Sequence, residues 1–403
     1  MFYQRTLLKT LERASRTFPV VLVTGPRQVG KTTLLEQAAK PTRTRVSLDD
    51  PQIRELAIRD PGLFFQRFPP PLLLDEVQYA PQLFPYIKMI ADRERKSGLF
   101  WMTGSQQFQL MKGVTESLAG RVAILQLQGF SQAEKQGDAK RPPFLPGNTV
   151  PNGCAHSLRE TYALIHRGSY PALHANPKTD VTMFYASYLR TYLARDVSDV
   201  LRVTDEMAFL RFMKVVAART GQLLNYADMA RDVDVSQSTV KSWLSVLQAS
   251  GIIYLLQPYH TNLATRLIKM PKLYVLDTGL CCYLTGWMSP EVLESGAMSG
   301  AILETYAVSE ILKSYWHHGL DPAVFFYRDK EQREIDLLIE TNGRLHPVEI
   351  KKSAAPVLHD IRNFEYLRTR SLALKLGHGA VVCFAPRPLP LTREVDALPV
   401  GVI

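Results

Sequence analysis

The sequence predicts an α/β protein in three parts: a parallel sheet with helices in residues 1–180, a helical segment with a winged helix in residues 181–270, and a second α/β domain in residues 271–403. Three patterns support this division. Apolar runs that end in glycine-rich or acidic turns near the amino terminus are typical of parallel strands. A helix–turn–helix pattern follows in the middle of the chain. Two alternating runs flank Asn342-Gly343 further on, which indicates a β-hairpin.

The composition is that of a globular protein with buried cores. Of the 403 residues, 46% are hydrophobic and 21% are charged. The four cysteines include no C-x-x-C pair, so they support neither a zinc ribbon nor a disulfide framework, and they favour the reducing cytoplasm. No apolar run approaches the ~18–20 residues that span a bilayer, so we expect no membrane association. The net charge of +10 comes mainly from residues 1–180, where a polyanion would be attracted.

The most specific motif lies directly after the first apolar run. Residues 19–24 read PVVLVT, which predicts a buried parallel strand, and residues 25–32 read GPRQVGKT. The second stretch matches G-x-x-x-x-G-K-[ST] at every fixed position and precedes a helix-compatible stretch, as a P-loop NTPase requires. The glycines let backbone N–H groups point at phosphate oxygens. The predicted ATP-binding residues are Gly25, Pro26, Arg27, Gln28, Val29, Gly30, Lys31, Thr32 and Thr33.

Side chains around this loop predict Mg²⁺-dependent ATP hydrolysis. Lys31 would contact the β- and γ-phosphates, and Thr32 would bind Mg²⁺. A second apolar strand, in PLLLDE, ends in Asp75 and Glu76. Asp75 is placed to hold Mg²⁺, directly or through water, and Glu76 is placed to polarise the attacking water. Lys31 and Glu76 are therefore predicted to be catalytic.

A third strand, over residues 99–103, ends just before Gly104-Ser105-Gln106. In ATPases of this kind a polar residue at the tip of such a strand senses the γ-phosphate or the water. Thr103 and Ser105 are both candidates, and we favour Ser105 as the catalytic one. An ordinary strand-to-helix turn is the alternative.

These motifs follow one another in a recognisable order. The segments RTLLK, VTGPRQVGKTTLL, SLDDP, LLLDEVQ, MTGSQ and LAGRV occur in succession. In this order the chain resembles the prokaryotic AAA-type ATPases that carry a C-terminal domain of unknown function. The resemblance implies a sheet in which the sensor strand lies between the strand before the P-loop and the strand that ends in Asp75. It also implies a catalytic role for Arg121, on the nucleotide or between subunits of a homo-oligomer. The alternative is a surface arginine that caps a turn.

Residues 223–256 predict a helix–turn–helix with a strand behind it. The pattern suits a short helix over 226–231, a turn over 232–235, and a second helix that Ser236 caps and that ends near Ala249. The apolar stripe of the second helix is Val240, Trp243, Leu244 and Leu247.

The charge of this segment bears on its function. A helix–turn–helix commonly inserts its second helix into the major groove of DNA. Residues 223–256 contain two basic residues, Arg231 and Lys241, and three acidic ones. Of the two basic residues, only Lys241 lies on the second helix. Because phosphate contacts supply most non-specific affinity, we expect this module alone to bind DNA weakly. DNA binding, as in a transcription factor, and a packing or interaction role both stay open.

The C-terminal part holds acidic residues on the predicted hairpin. With Asn342-Gly343 as a two-residue turn, Asp336 faces Glu349, and Glu334 faces Lys351 on the same side. Carboxylates so close repel each other unless a positive charge lies beside them. Lys351, Mg²⁺ or Mn²⁺ would supply it. The other side, which faces the core, carries Ile335, Leu337, Ile339, Val348 and Ile350.

The E-I-D…E-I-K pattern resembles the PD-(D/E)XK nuclease superfamily. The resemblance implies an α/β fold in which Asp336 and Glu349 bind Mg²⁺ or Mn²⁺, while Lys351 stabilises the scissile phosphate or positions water. Glu304, in AILETYAVSEILK, matches the accessory acid of that superfamily. These four are the candidate nuclease residues. The alternative is a nuclease-like fold kept for binding or structure, and the balanced charge of this domain gives no field that attracts DNA.

The motifs together predict an ATPase that couples its nucleotide state to the nuclease-like domain in a DNA transaction. ATP and Mg²⁺ are the expected cofactors. The alternative is a nucleotide-controlled switch that has a protein partner and an inactive nuclease-like domain.

Overall fold

The computed structural model describes most of the chain. The described residues are 3–41, 43–104, 114, 116–149, 155–192, 206–259, 270–370 and 375–403. Among them, no helix combines the length and the apolar character needed to cross a bilayer.

The first sheet is parallel throughout. Its strands are β1 (Val20–Thr24), β2 (Thr44–Ser47), β3 (Leu72–Asp75), β4 (Phe100–Gly104) and β5 (Val122–Gln126). They pair in the order β2-β3-β4-β1-β5. The predicted sensor strand, β4, therefore lies between β1 and β3, which confirms the arrangement implied by the resemblance. Because all five strands run in the same direction, their carboxyl ends meet at one edge of the sheet.

Helices cover both faces of this sheet because its central strand is apolar on both sides. All five residues of β1 are buried. Val21 and Val23 belong to the core that includes the first two helices, whereas Val20 and Leu22 belong to the core of the next three. The five helices are α1 (Leu7–Thr17), α2 (Lys31–Ala38), α3 (Pro51–Arg59), α4 (Pro61–Arg67) and α5 (Leu83–Glu94).

The middle of the chain is helical. Its helices are α6 (Gln132–Lys135), α7 (Leu158–Arg167), α8 (Pro171–Ala175), α9 (Val181–Tyr192), α10 (Glu206–Ala218), α11 (Tyr226–Val233) and α12 (Gln237–Ala249). The helices α11 and α12 form the predicted helix–turn–helix. Ser236 Oγ accepts a hydrogen bond from the N–H of Thr239 at 3.0 Å and so caps α12, and the predicted apolar stripe of α12 is buried. Helix α11 ends at Val233, two residues beyond the predicted end, because Asp234 adopts a positive φ of 63°.

A small antiparallel sheet lies behind the helix–turn–helix. It consists of β6 (Gln222–Leu223), β7 (Ile253–Leu256) and β8 (Lys272–Val275), in the order β6-β8-β7. Strand β8 lies beyond residue 270. A strand that completes the middle segment is therefore supplied by residues that we had assigned to the C-terminal domain.

The C-terminal part combines helices with a mixed sheet. The helices are α13 (Thr278–Thr285), α14 (Pro290–Ser295), α15 (Ser299–Trp316) and α16 (Arg362–Arg370). The strands are β9 (Val324–Arg328), β10 (Glu334–Thr341), β11 (Arg344–Ile350), β12 (Lys375–Leu376), β13 (Gly379–Cys383), β14 (Leu389–Pro390) and β15 (Val395–Pro399). Six of them follow the order β14-β15-β13-β11-β10-β9, and β12 pairs with β11.

The hairpin β10–β11 has the predicted register. Its ladder runs from Thr341 opposite Arg344 to Leu337 opposite Val348. The pairing of β10 with β9 shifts between Ile335 and Leu338. Because of this shift, Ile335 packs in a different core from Leu337, contrary to the prediction that both share one face. Both faces of the hairpin are therefore buried near the acidic residues.

One apolar core crosses the predicted boundaries at residues 180 and 270. It contains Leu11 of α1, Phe209 of α10 and Leu303 of α15. The three parts of the chain therefore share one packed core.

Candidate functional site

The loop between β1 and α2, residues 25–30, bends sharply. Gly25 (φ +143°) and Gly30 (φ +90°) both lie in the region that favours glycine. A side chain at Gly25 would overlap the backbone oxygen of Leu127, which follows β5. Gly30 is the N-cap residue of α2, so the loop leads directly to the positive end of that helix.

Lys31 begins α2 and extends its ammonium group into the curve of the loop. The residue is 6% exposed. Its Nζ donates to the carbonyl oxygens of Gly25 at 3.0 Å and Pro26 at 2.7 Å. A largely buried cation among backbone groups is suited to bind the phosphate oxygens of a nucleotide. The loop residues therefore fit a nucleoside polyphosphate.

Two hydroxyls meet one carboxylate oxygen at the carboxyl edge of the sheet. Thr32 Oγ1 donates to Asp75 Oδ1 at 2.8 Å, and the Thr103 hydroxyl donates to the same oxygen. Burial raises the pKa of Asp75, while these two hydrogen bonds oppose the rise. Hydroxyl and carboxylate oxygens are ligands that Mg²⁺ prefers. Thr32 and Asp75 therefore fit a Mg²⁺ that accompanies the nucleotide.

Glu76 follows Asp75 in the left-handed backbone conformation, with φ +57°. Its N–H donates to Thr103 Oγ1 at 3.0 Å, and the side-chain amide of Gln78 donates to its carboxylate. Thr103 thus links the two acids. A carboxylate held in this way can accept a proton from water. Ser105, which we favoured as sensor, lies outside the described residues, and Thr103 is the described candidate that contacts both acids.

Asp336 and Glu349 lie next to each other, as the hairpin register requires. Asp336 Oδ2 accepts from the backbone N–H of Ile350 at 2.8 Å, and Glu349 is 3% exposed. Burial and the neighbouring Asp336 raise the pKa of Glu349 to about 9. Lys351 Nζ donates to Glu349 Oε2 at 2.8 Å. The raised pKa means that Glu349 favours its protonated form near neutral pH.

A second cation enters this acidic cluster from β8. Lys272 is 3% exposed, and its Nζ donates to Glu304 Oε1 at 2.9 Å and pairs with Glu334. The hydroxyl of Tyr274 donates to the same oxygen of Glu304 at 2.6 Å. Although burial opposes its charge, Glu304, Glu334 and Asp336 raise the pKa of Lys272. The structure therefore brings Glu304 to the hairpin acids, with Lys272 as their counter-ion.

The predicted contact between Glu334 and Lys351 does not form. Glu334 pairs with Lys272 and, at 3.0 Å, with Arg328 of β9, whereas Lys351 pairs with Glu349. The reason is that β10 shifts its register against β9 near Glu334. Among the described residues, no group of three or more His, Cys, Asp or Glu side chains has the arrangement of a metal site.

The raised pKa of Glu349 predicts how stability depends on pH. The pKa of Glu349 is higher in the folded chain than in the unfolded chain, so its contribution is complete below about pH 4.5 and is lost as pH rises towards 9. We expect Glu349→Gln to reduce the fall in unfolding free energy between pH 5 and 9 by at least ~1 kcal/mol. Urea unfolding at several pH values would measure this. The same change at Glu340, near the turn of the hairpin, is the control. Equal pH profiles for wild type and Glu349→Gln would contradict the raised pKa of Glu349.

Known families match three successive parts of the chain. Residues 17–135 match the family model described as an AAA domain. This part of the chain is therefore similar to AAA-type P-loop domains. Residues 158–291 and 299–403 match two families described as domains of unknown function, DUF8612 and DUF4143.

Relatives of nearly the whole chain are themselves uncharacterized. The uncharacterized proteins Rv2008c of Mycobacterium tuberculosis and Mb2031c of Mycobacterium bovis are each 28% identical over 400 residues, which is 99% of this chain and 84% of each relative. Among solved structures, the Walker-type ATPase PABY2304 of Pyrococcus abyssi matches with 13% identity and a TM-score of 0.45, covering 70% of this chain and 96% of its own. The RuvB Holliday junction branch migration motor of Thermotoga maritima matches with 15% identity and a TM-score of 0.30, covering 62% and 88%.

Arg121 lies at the edge of the AAA domain opposite the P-loop. It directly precedes β5, whose carboxyl end lies beside the P-loop. Its guanidinium pairs with Asp92, with Nη2 donating to Oδ2 at 3.0 Å, and Nη1 donates to the carbonyl of Ala119. Since β1 and β5 are parallel, the length of β5 separates Arg121 from the loop. The prediction that it contacts the nucleotide of its own chain is therefore not supported, and an intersubunit role stays a prediction.

Acidic neighbours pair with two basic side chains near the helix–turn–helix. Arg231 pairs with Asp228, and Arg219 pairs with Asp232. The ammonium of Lys241 lies 5.2 Å from the ring centre of Tyr226. These contacts agree with the composition of the segment, which has no excess of positive charge for phosphate contacts.

The AAA domain also touches the helix–turn–helix. Gly251 follows α12 with a positive φ of 72°, and a side chain there would approach Pro26 of the P-loop to 3.2 Å. The P-loop and the turn after α12 therefore lie against each other.

Proposed function

We propose that this protein binds and hydrolyses ATP with Mg²⁺ at the carboxyl edge of its AAA domain. The observation that carries this proposal is the hydrogen bond between Thr32 and Asp75, beside the buried ammonium of Lys31. In this arrangement, a cation that can bind the phosphates lies beside two oxygen ligands for the metal.

Each residue of the site has a defined task. Lys31 and the loop amides neutralise the phosphate chain, and Thr32 and Asp75 hold Mg²⁺, which supplies further charge neutralisation during phosphoryl transfer. Glu76 accepts a proton from the attacking water, and Gln78 holds its carboxylate in place. Thr103 keeps the two acids in a fixed relation.

We propose further that the nucleotide state is passed to the C-terminal part, for which two outputs have support. One output is a PD-(D/E)XK-like domain that acts on DNA. It is supported by the order of the elements along the chain, which is α15, β9, β10, β11, α16 and β13, with Asp336 and Glu349 at the centre. The alternative is a protein-interaction switch with an inactive domain. The ammonium of Lys272 among the acids supports the alternative, because it occupies the position of a positive charge that a metal would otherwise supply.

Phosphate release from Mg-ATP tests the ATPase proposal. We expect wild type to hydrolyse ATP, and we expect Lys31→Ala and removal of Mg²⁺ by EDTA to abolish turnover. A folded wild-type chain that neither binds nor hydrolyses ATP would refute the proposal. Stimulation by duplex or single-stranded DNA would favour the DNA output, and turnover indifferent to DNA would favour a protein partner.

A further inference from the structure

Arg5 lies just before α1 and reaches the P-loop from behind. The residue is 6% exposed. Its guanidinium donates to four acceptors. Nη1 donates to the carbonyl of Val29 at 2.8 Å, Nη2 to the carbonyls of Gln128 at 2.7 Å and Gly129 at 3.5 Å, and Nε to Glu134 Oε1 at 3.1 Å. Its central carbon lies 4.8 Å from the ring centre of Phe130. All three directions of the guanidinium fork are therefore used on buried groups.

The contact with Val29 bears on the phosphate site. A trans peptide is planar, so its carbonyl and the N–H of the next residue point in opposite directions. Arg5 holds the carbonyl of Val29 on one side of the loop, and the N–H of Gly30 consequently points to the other. That N–H belongs to the loop amides that a phosphate-binding loop turns towards its ligand. Arg5 thus fixes the orientation of a peptide that the site needs.

Glu134, in turn, fixes Arg5. Although burial opposes its ionisation, the neighbouring Arg5 holds the pKa of Glu134 below its usual range. Its carboxylate also accepts from the N–H groups of Thr6 at 2.8 Å and Ser131 at 3.0 Å. His317, which follows α15, has Nδ1 3.5 Å from Glu134 Oε1. Arg5 is therefore held by a carboxylate that two backbone N–H groups fix in place, and His317 of the C-terminal part lies beside that carboxylate.

We propose that Arg5 is a positioning residue of the nucleotide site, which sets the peptide between Val29 and Gly30 and is itself held by Glu134. The inference rests on the proposed binding of ATP. It adds a residue that lies 20 positions before the P-loop motif and that would touch neither the nucleotide nor the metal.

The test separates positioning from simple stabilisation. The full chain is titrated with the fluorescent analogue mant-ADP in the presence of Mg²⁺, and its thermal midpoint is measured without nucleotide. The variants are Arg5→Gln, Arg5→Lys and Glu134→Gln. Arg13→Gln, on an exposed position of α1, is the control.

Lysine at position 5 is the decisive variant. It keeps the charge opposite Glu134, so it is expected to restore most of the thermal midpoint that Arg5→Gln loses. A single ammonium cannot reproduce the fork that reaches both carbonyls and the carboxylate, so affinity should stay reduced about tenfold, the effect of losing one charge-assisted hydrogen bond. Glu134→Gln should weaken mant-ADP binding severalfold, and Arg13→Gln should leave it unchanged.

Two outcomes would overturn the proposal. In the first, Arg5→Lys binds mant-ADP as tightly as wild type, whether or not Arg5→Gln folds. In the second, affinity follows the thermal midpoint across all variants, which is the result of a purely structural arginine. A folded wild type that does not bind mant-ADP would instead refute the proposed function, and this inference with it.

Discussion

Replacing Glu76 by glutamine is expected to lower the kcat of ATP hydrolysis by at least ~100-fold, the usual contribution of a general base. The amide keeps the size and hydrogen bonding of the carboxylate but cannot accept the proton of the attacking water. Because Lys31, Thr32 and Asp75 are unchanged, ATP binding should stay within about threefold of wild type. Phosphate release at saturating Mg-ATP and titration with a fluorescent ATP analogue measure the two quantities.

The same substitution at an exposed acid provides the control. Glu55 lies on α3 and pairs with Arg59 at the surface, so Glu55→Gln should leave both kcat and affinity unchanged. If Glu76→Gln retained the wild-type kcat, the proton would have to leave through another group, and the assignment of Glu76 would be wrong. If affinity fell together with kcat, Glu76 would support binding rather than the proton transfer.

The P-loop could be predicted because its chemistry is local. Eight consecutive residues determine a strand end, a turn with positive φ at Gly25 and Gly30, and a helix start. Each of these depends on neighbours in the sequence. The hairpin register was predictable for the same reason, since the turn at Asn342-Gly343 sets which residues face each other.

Contacts across the chain could not be predicted in this way. Arg5 and Val29 are 24 positions apart, and Lys272 and Glu334 are 62 apart, so no periodicity or turn relates them. The polar residues of the otherwise apolar strand KLYV did indicate part of this arrangement. Lys272 and Tyr274 alternate with apolar residues, which places both on one side of β8. That pattern indicates two polar groups on one face but not the acids that they meet.

The position of Arg121, which pairs with Asp92, could not be predicted from its motif. The resemblance implied a role for this arginine, but the strand that follows it determines its place, at the edge away from the P-loop. A side chain there can act on a nucleotide only from another subunit, which makes the oligomeric state the measurement on which its role depends.

Lys272→Met is expected to destabilise the chain by about 3 kcal/mol, the cost of leaving a buried carboxylate without its partner. The ammonium lies between Glu304 and Glu334 at 3% exposure. The double variant Lys272→Met with Glu304→Gln should regain part of the loss, because one of the uncompensated charges is removed with it. Urea unfolding of the full chain measures both. Lys352→Met, which breaks a more exposed pair with Glu294, should cost less than ~1 kcal/mol, and an equal effect of the two lysines would contradict the role of Lys272.

Lys272→Met also distinguishes the two proposed outputs, which are a nuclease-like domain that acts on DNA and a protein-interaction switch. A divalent cation on Asp336 and Glu349 and the ammonium of Lys272 would both lie in the field of Asp336, so the two cations would oppose each other if the cluster can bind metal. In that case Mn²⁺ should raise the thermal midpoint of Lys272→Met more than that of wild type, and Asp336→Asn should remove the increase. If Mn²⁺ has no effect on Lys272→Met, the acids are arranged for the lysine and not for a metal. The C-terminal part would then serve as an interaction module that the ATPase controls, because a PD-(D/E)XK nuclease needs its metal to cleave.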